Sequence, residues 1–234
     1  MPTVKRLVCL ANSRRPSGYC VAGKRMINGR AGRWVRPVSG RPSEGVSARE
    51  SQYPDGTVPR VLDLMGVPLL EPKPKAYQTE NWVIAPKSPW EFAGRITWNQ
   101  LKTMTDSPTV LWINTSSTRS GLNDRVSLSD AAGLNGSLYL LQLPKLTLQV
   151  FAPGALFNNP RRRVQAGFHY NGVEYRLKVT DPEIEEEYRG RPDGSYAVNA
   201  CCVTVSLGEP HQDGFCYKLV AALVTPDRAR SRAV

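Results

Sequence analysis

The sequence predicts a mainly β protein, folded as two small barrels or sandwiches with short helices and long loops. Three observations lead there. Short apolar runs recur at close spacing and are separated by Gly, Pro, Asn and Asp, the residues that punctuate strands and turns. Each half holds only one brief helical segment. No rhythm of strands alternating with long amphipathic helices is present, which sets aside a doubly wound parallel sheet. With 234 residues, the chain has room for one large domain or for two of roughly 100 residues each, and it can bury a core without disulfide or metal staples.

Taken in order, Thr3–Ala11 is rich in Val and Leu and predicts a first strand, closed by the breakers of Asn12–Gly18. Tyr19–Ile27 and Arg33–Val38 follow, with Asn28–Gly29 between them as a hairpin signal. Residues 39–60 read as a long loop with one helical turn, before Val61–Leu70 restores a strand and Gln78–Ala85 adds a short extended segment. Thr97–Met104 is the helix of the first half, and Asn114–Asp130 is a polar, turn-rich loop. The second half opens with Ser137–Leu143 and Leu146–Phe151 on either side of Pro144.

Arg162–Tyr170 and Val173–Val179 flank Asn171–Gly172, a two-residue turn whose central positions both need positive φ. Alternation puts Val173, Tyr175, Leu177 and Val179 on one face and Glu174, Arg176 and Lys178 on the other. Asp181 caps a helix starting at Pro182, Tyr196–Leu207 and Phe215–Val224 are the last strands, and the charged tail from Thr225 is expected to fray. These elements divide into a basic N-terminal domain over 1–135, with loop insertions, and a C-terminal domain over 136–234.

The formal net charge is +11, and residues 1–60 carry twelve Lys/Arg against Glu44, Glu50 and Asp55. A positive field at one end of a molecule attracts polyanions. All five Trp lie in the first half, beside that excess. The five Cys are an odd number and Cys201 and Cys202 adjoin, a poor disulfide geometry. The opening residues lack the apolar core of a signal peptide and no run reaches ~18 apolar residues, so a reduced cytoplasm without membrane contact is the expectation. Nucleophile motifs, phosphate-binding glycine loops and metal-ligand spacings are missing, so neither cofactor nor metal is expected, and no residue is assigned as catalytic.

The segments KRLVCLANSRRPSGYCVAG at 5–23, WVRPVS at 34–39, QTENW at 78–82, GLNDRV at 121–126, YNGVEYRLKVTDP at 170–182, VSLGEP at 205–210 and YKLVAALV at 217–224 together resemble a bacterial family of dual OB domain-containing proteins. The resemblance spreads over nearly the whole chain. It implies two OB-like β-barrels, a fold that commonly binds single-stranded nucleic acid with a basic groove and stacking aromatics, and it carries an association with prokaryotic defence systems.

The candidate contacts follow from residue chemistry. Arg14, Arg15, Lys24 and Arg36 are placed to hold phosphates, and Trp34 and Trp82 to stack bases. Gln78, Asn81, Asn123 and Arg125 offer groups that read a base edge, or that equally satisfy backbone in long loops. The expected function is binding of nucleic acid or nucleotide, single strands preferred, as an accessory or sensor component of a defence system. The alternatives are a protein-interaction subunit that binds no nucleic acid, and a nucleotide-processing enzyme.

Overall fold

The computed structural model describes residues 1–15, 18–42, 44–153 and 162–231, with the backbone alone for Arg14 and Arg15. The chain divides into two compact units: Met1–Met104 with Asn135–Ser137 and Asp227–Val234, and Thr105–Leu134 with Leu138–Pro226. The division differs from a single break at 135/136. Residues 105–134 join the second unit because their backbone bonds run there. Asp106 N–H donates to Leu140 O at 2.7 Å, Leu122 and Arg176 exchange bonds of 3.2 and 3.0 Å, and Leu128 N–H donates to Gly214 O at 2.9 Å.

The first unit holds β1 (Thr3–Arg15), β2 (Gly18–Ile27), β3 (Arg30–Val38), β4 (Asp63–Pro72) and β5 (Asn81–Ile84). They pair in the ring β1-β2-β3-β5-β4 and back to β1, antiparallel except for β3 beside β5. The ring closes because β1 is long enough to serve two partners. Thr3–Val8 pairs with β4, Leu7–Arg15 with β2, and a bulge between Cys9 and Ala11 bends the strand between its two tasks. The breakers expected to end this strand at Ala11 do not; Asn12–Arg15 stay on the ladder opposite Gly18–Val21.

At the bend Gly23 has no room for a side chain, since a Cβ there would stand 2.0 Å from the Val8 carbonyl oxygen. Leu7, Cys9, Val21, Val35, Met65, Val67, Leu69, Ile84 and Trp90 fill the interior, with Trp82 packed at its margin. Between β3 and β4 lies α1 (Ala48–Ser51), started by a capping box of Ser47 and Glu50. After β5 come β6 (Glu91–Arg95), which adds to β4, and α2 (Trp98–Lys102), capped by Thr97.

The second unit repeats the plan. Its strands are β8 (Leu138–Phe151), β9 (Arg163–Tyr170), β10 (Val173–Val179), β11 (Gly194–Pro210) and β12 (Phe215–Val224). They pair in the ring β8-β9-β10-β12-β11 and back to β8, again with one parallel pair, β10 beside β12. Here too a helix, α4 (Pro182–Arg189), follows the third strand of the ring. Asp181 holds it in place: Oδ1 accepts from the N–H of Glu183 and Ile184, and Oδ2 accepts from Leu223 N–H at 3.0 Å.

Pro144 does not split β8 as expected. Pairing with β9 begins only at Thr147, so no donor is required of Pro144 on that side, and on the other side Ala200 takes a positive φ of 48°. The polar loop expected at 114–130 contains β7 (Arg125–Ser127), which adds to β12, and most of α3 (Leu128–Ala131). The tail expected to fray forms α5 (Pro226–Ser231). Among the described residues no helix is long and apolar enough to cross a membrane.

Candidate functional site

Lys24, Trp34 and Arg36 sit on the outer side of the first barrel, and the chain itself takes up the two cations. Lys24 and Trp34 face each other across β2 and β3. The Lys24 ammonium donates to Met104 O at 2.7 Å and stands 5.5 Å from the Trp34 ring centroid. Arg36 is only 3% exposed. Its guanidinium donates to Asn81 Oδ1 at 3.3 Å and to Ser137 Oγ at 2.7 Å, and pairs with Glu80 at 3.1 Å.

Ser137 in turn donates to Glu80, and Asn81 donates to Gln78 Oε1 at 3.4 Å. The structure therefore gathers Arg36, Gln78, Asn81, Glu80 and Ser137 into one buried network. Lys24 and Arg36, expected to hold phosphates, instead tie residues 104 and 137 to the barrel wall. Removing one partner of such a buried pair leaves a charge without its counterion, a loss of about 3–5 kcal/mol.

The other candidates lie apart. Trp82 is half-buried, with the Lys5 ammonium 4.0 Å above its ring. The side chains of Arg14 and Arg15 lie outside the described residues. Asn123 and Arg125 belong to the second unit. Asn123 has a left-handed φ of 51° and donates to Glu174 O at 2.9 Å. Arg125 donates to Ser116 Oγ at 2.9 Å and stacks 4.0 Å from the Phe215 centroid.

On the second barrel the outer side of the same strands is open. Because side chains alternate along a strand, the inward set Leu146, Leu148, Val150, Val164, Ala166, Phe168, Tyr175 and Leu177 is buried, while their neighbours face out. A groove of about 580 Å³ runs across β8, β9, β10 and β11. Gly167 and Ala197 keep its floor low, Gln149, Gln165, Thr147 and Asn199 supply amide and hydroxyl groups, and Lys145, Arg176 and His169 stand in its wall.

Alternation places exposed Arg163 and Lys178 on the same face. Four cations thus share it with one carboxylate, Glu174, which stands 3.8 Å from Arg176. The polar loop borders this face. Leu122 bridges to Arg176, Gln165 donates to Ser120 O at 2.9 Å, and Asp124 accepts from Thr118 N–H and Oγ–H at 2.7 and 2.6 Å. Lys218 anchors the loop from beneath by donating to Ile113 O and Asn114 Oδ1 at 2.8 and 2.6 Å. Burial pushes its ammonium down to about 7, against the opposing pull of Asp124.

Two rings of five strands, each with a parallel third–fifth pair and a helix after the third strand, are the plan of the OB barrel. The sequence model of the dual OB-containing domain matches residues 5–223. This chain belongs to that family. No curated protein and no solved structure matches it. OB domains generally bind nucleic acids or oligonucleotides, and the open groove of the second dual-OB barrel lies on the strands that carry such ligands. Segment-by-segment charge conceals the groove residues. Glu183, Glu185, Glu186 and Glu187 on or beside α4 offset the cations of the second half in a sum, although they lie on a different element. The alternation at 173–179 is the signal in the sequence that points to them.

Proposed function

We propose that this dual-OB protein binds single-stranded nucleic acid along the open outer face of its second barrel. The single observation that carries the reading is the groove across β8–β11, lined by amides and by Lys145 and Arg176. Arg163 and Lys178 extend the line of positive charge, and the nucleic-acid backbone follows it while the amide groups meet base edges. The excess charge of residues 1–60 raises the local concentration of polyanions and speeds encounter. Exposed Arg25, Arg30 and Arg33 of the first barrel contribute to that positive field. In this reading the protein recognises rather than catalyses, as an accessory or sensor component of a prokaryotic defence system.

Fluorescence anisotropy with labelled single-stranded DNA, single-stranded RNA and duplex DNA, at low and near-physiological salt, tests this. Binding of a single strand that weakens steeply with salt, and at least tenfold with the K145E/R176E pair, is expected. Salt-independent binding, or no binding to any of the three, rejects it and leaves a protein partner as the occupant to seek.

A further inference from the structure

Residues 53–63, which lead from α1 into β4, and the short strand β6 line an open cavity of about 440 Å³ in the first unit. Small-ligand pockets run from ~300 to 1,000 Å³. The cavity shares no residue with the groove or with the Arg36 network. One wall is Phe92, 46% exposed although its ring is large and apolar, and tilted against Tyr53 at 5.7 Å between centroids. The guanidinium of Arg95 stands 5.5 Å from the centre of the Phe92 ring. Its Nε donates to Asp63 Oδ1 at 2.8 Å, which fixes the arginine in place.

Asp63 is buried and satisfied from within. Its second oxygen accepts from the Tyr53 hydroxyl at 3.2 Å and from Arg60 N–H at 2.9 Å. The chemistry left for a ligand is at the rim. Asp55 Oδ1 accepts from Thr57 N–H and Oγ–H at 2.9 and 2.7 Å. Those bonds hold its carboxyl below the usual range, so it is ionised at neutral pH. The exposed side chain of Arg60 stands at the same rim.

A bare phosphate would meet Asp55, and a metal ion would meet Arg60 and Arg95. A nucleobase uses the whole set. Its face stacks on an exposed aromatic ring, its donor edge meets a carboxylate and its acceptor edge meets a guanidinium. Guanine fits best, because N1–H and N2–H are adjacent donors for Oδ2 of Asp55, the oxygen that the Thr57 bonds leave, and O6 and N7 form the paired acceptors that arginine reads.

We infer that the cavity between residues 53–63 and β6 takes one nucleobase, of a free nucleotide or unstacked from a strand, and prefers guanine. For a strand-borne base the inference rests on the proposed function; the pocket's chemistry is tested without a strand.

Isothermal titration calorimetry of the full chain with GMP, AMP, CMP and UMP is the experiment, repeated on D55N and F92L. Saturable GMP binding is expected, roughly tenfold or more tighter than for the other three, since a bidentate pair discriminates by that order. Each variant should weaken it about tenfold. Both positions are exposed, and matching thermal melts distinguish weakened recognition from unfolding. Equal binding of the four nucleotides, or no saturation at millimolar GMP, overturns the inference. So does GMP affinity unchanged in both variants. Adding one guanine to an all-thymine strand raises strand affinity if the strand supplies the base; GMP binding without that gain assigns the pocket to a free nucleotide. Oligonucleotide binding without GMP binding overturns the pocket alone, and GMP binding without oligonucleotide binding rejects the groove alone.

Discussion

The two barrels share one ring of strands and one helix position, and differ on the outer side of their first three strands. In the first barrel the middle of that side is closed, while Val4 and Arg6 at the start of β1 stay exposed. Val8, Ala22, Lys24, Arg36 and Val38 are all buried there, and the two cations bond to Met104 O and Ser137 Oγ. In the second barrel the corresponding side exposes Lys145, Thr147, Gln149, His169, Arg176 and Asn199. A duplicated plan therefore does not imply a duplicated site. Basic residues on an OB face become structural when the chain folds back over them, and remain available for phosphates when it does not.

The largest effect that would break this contrast is in the buried network. R36A should cost about 3–5 kcal/mol of stability by leaving Glu80 buried without its partner, read as the shift of a urea unfolding curve, whereas R176A should stay within ~0.5 kcal/mol because that side chain is exposed. A loss from R36A as small as that from R176A would mean that the closed face is not structural. The glycines of the second strands sharpen the point. G23A drives a methyl into the Val8 carbonyl and should cost roughly 1–3 kcal/mol or more. G167A meets nothing nearer than 3.7 Å and should be nearly neutral in a melt.

On the binding side, K145E/R176E should lower the slope of log affinity against log salt by about 0.7 for each phosphate no longer neutralised, measured by anisotropy across a salt series. Lys218 adds a pH dependence to the stability of the second barrel. Its folded pKa of about 7 lies below the ordinary lysine value of 10.5, so between those limits the unfolded chain holds a proton that the folded chain lacks. Stability then rises with pH across that window, is greatest above 10.5 and flattens below 7. Denaturant midpoints between those limits should climb more steeply with pH in wild type than in K218M.

Much of the fold was legible in the residues, since strand positions follow from local alternation. Val173–Val179, the Asn171–Gly172 turn and the Asp181 cap stand where the sequence places them. Boundaries failed where the ladder overrode a local breaker. Asn12–Arg15 remain in β1 because β2 offers a full set of partners, and Pro144 is absorbed because β9 does not reach it. The strand β6 escaped notice, as EFAGR is short and carries Gly94 at a φ of 116°.

The site was less legible than the fold. Whether Arg36 meets a phosphate or Ser137 depends on a residue 101 positions away. No pattern within β3 reports what will cover its outer side. The cations of the second barrel were visible one strand at a time, but Lys145, Arg163 and Arg176 come onto one face only once β8, β9 and β10 are hydrogen-bonded in register.

The clasp of Ser137 on Arg36 and Glu80 also sets an order of events during synthesis. The first barrel is not one continuous piece of chain, for Asn135–Ser137 returns to it after Thr105–Leu134 has gone to the second unit. A ribosome adding roughly 5–20 residues each second delivers Ser137 some seconds after Met104. During that interval Arg36 and Glu80 are without their third member. The last clasp of the first barrel therefore waits until Thr105–Leu134 of the second unit has been made.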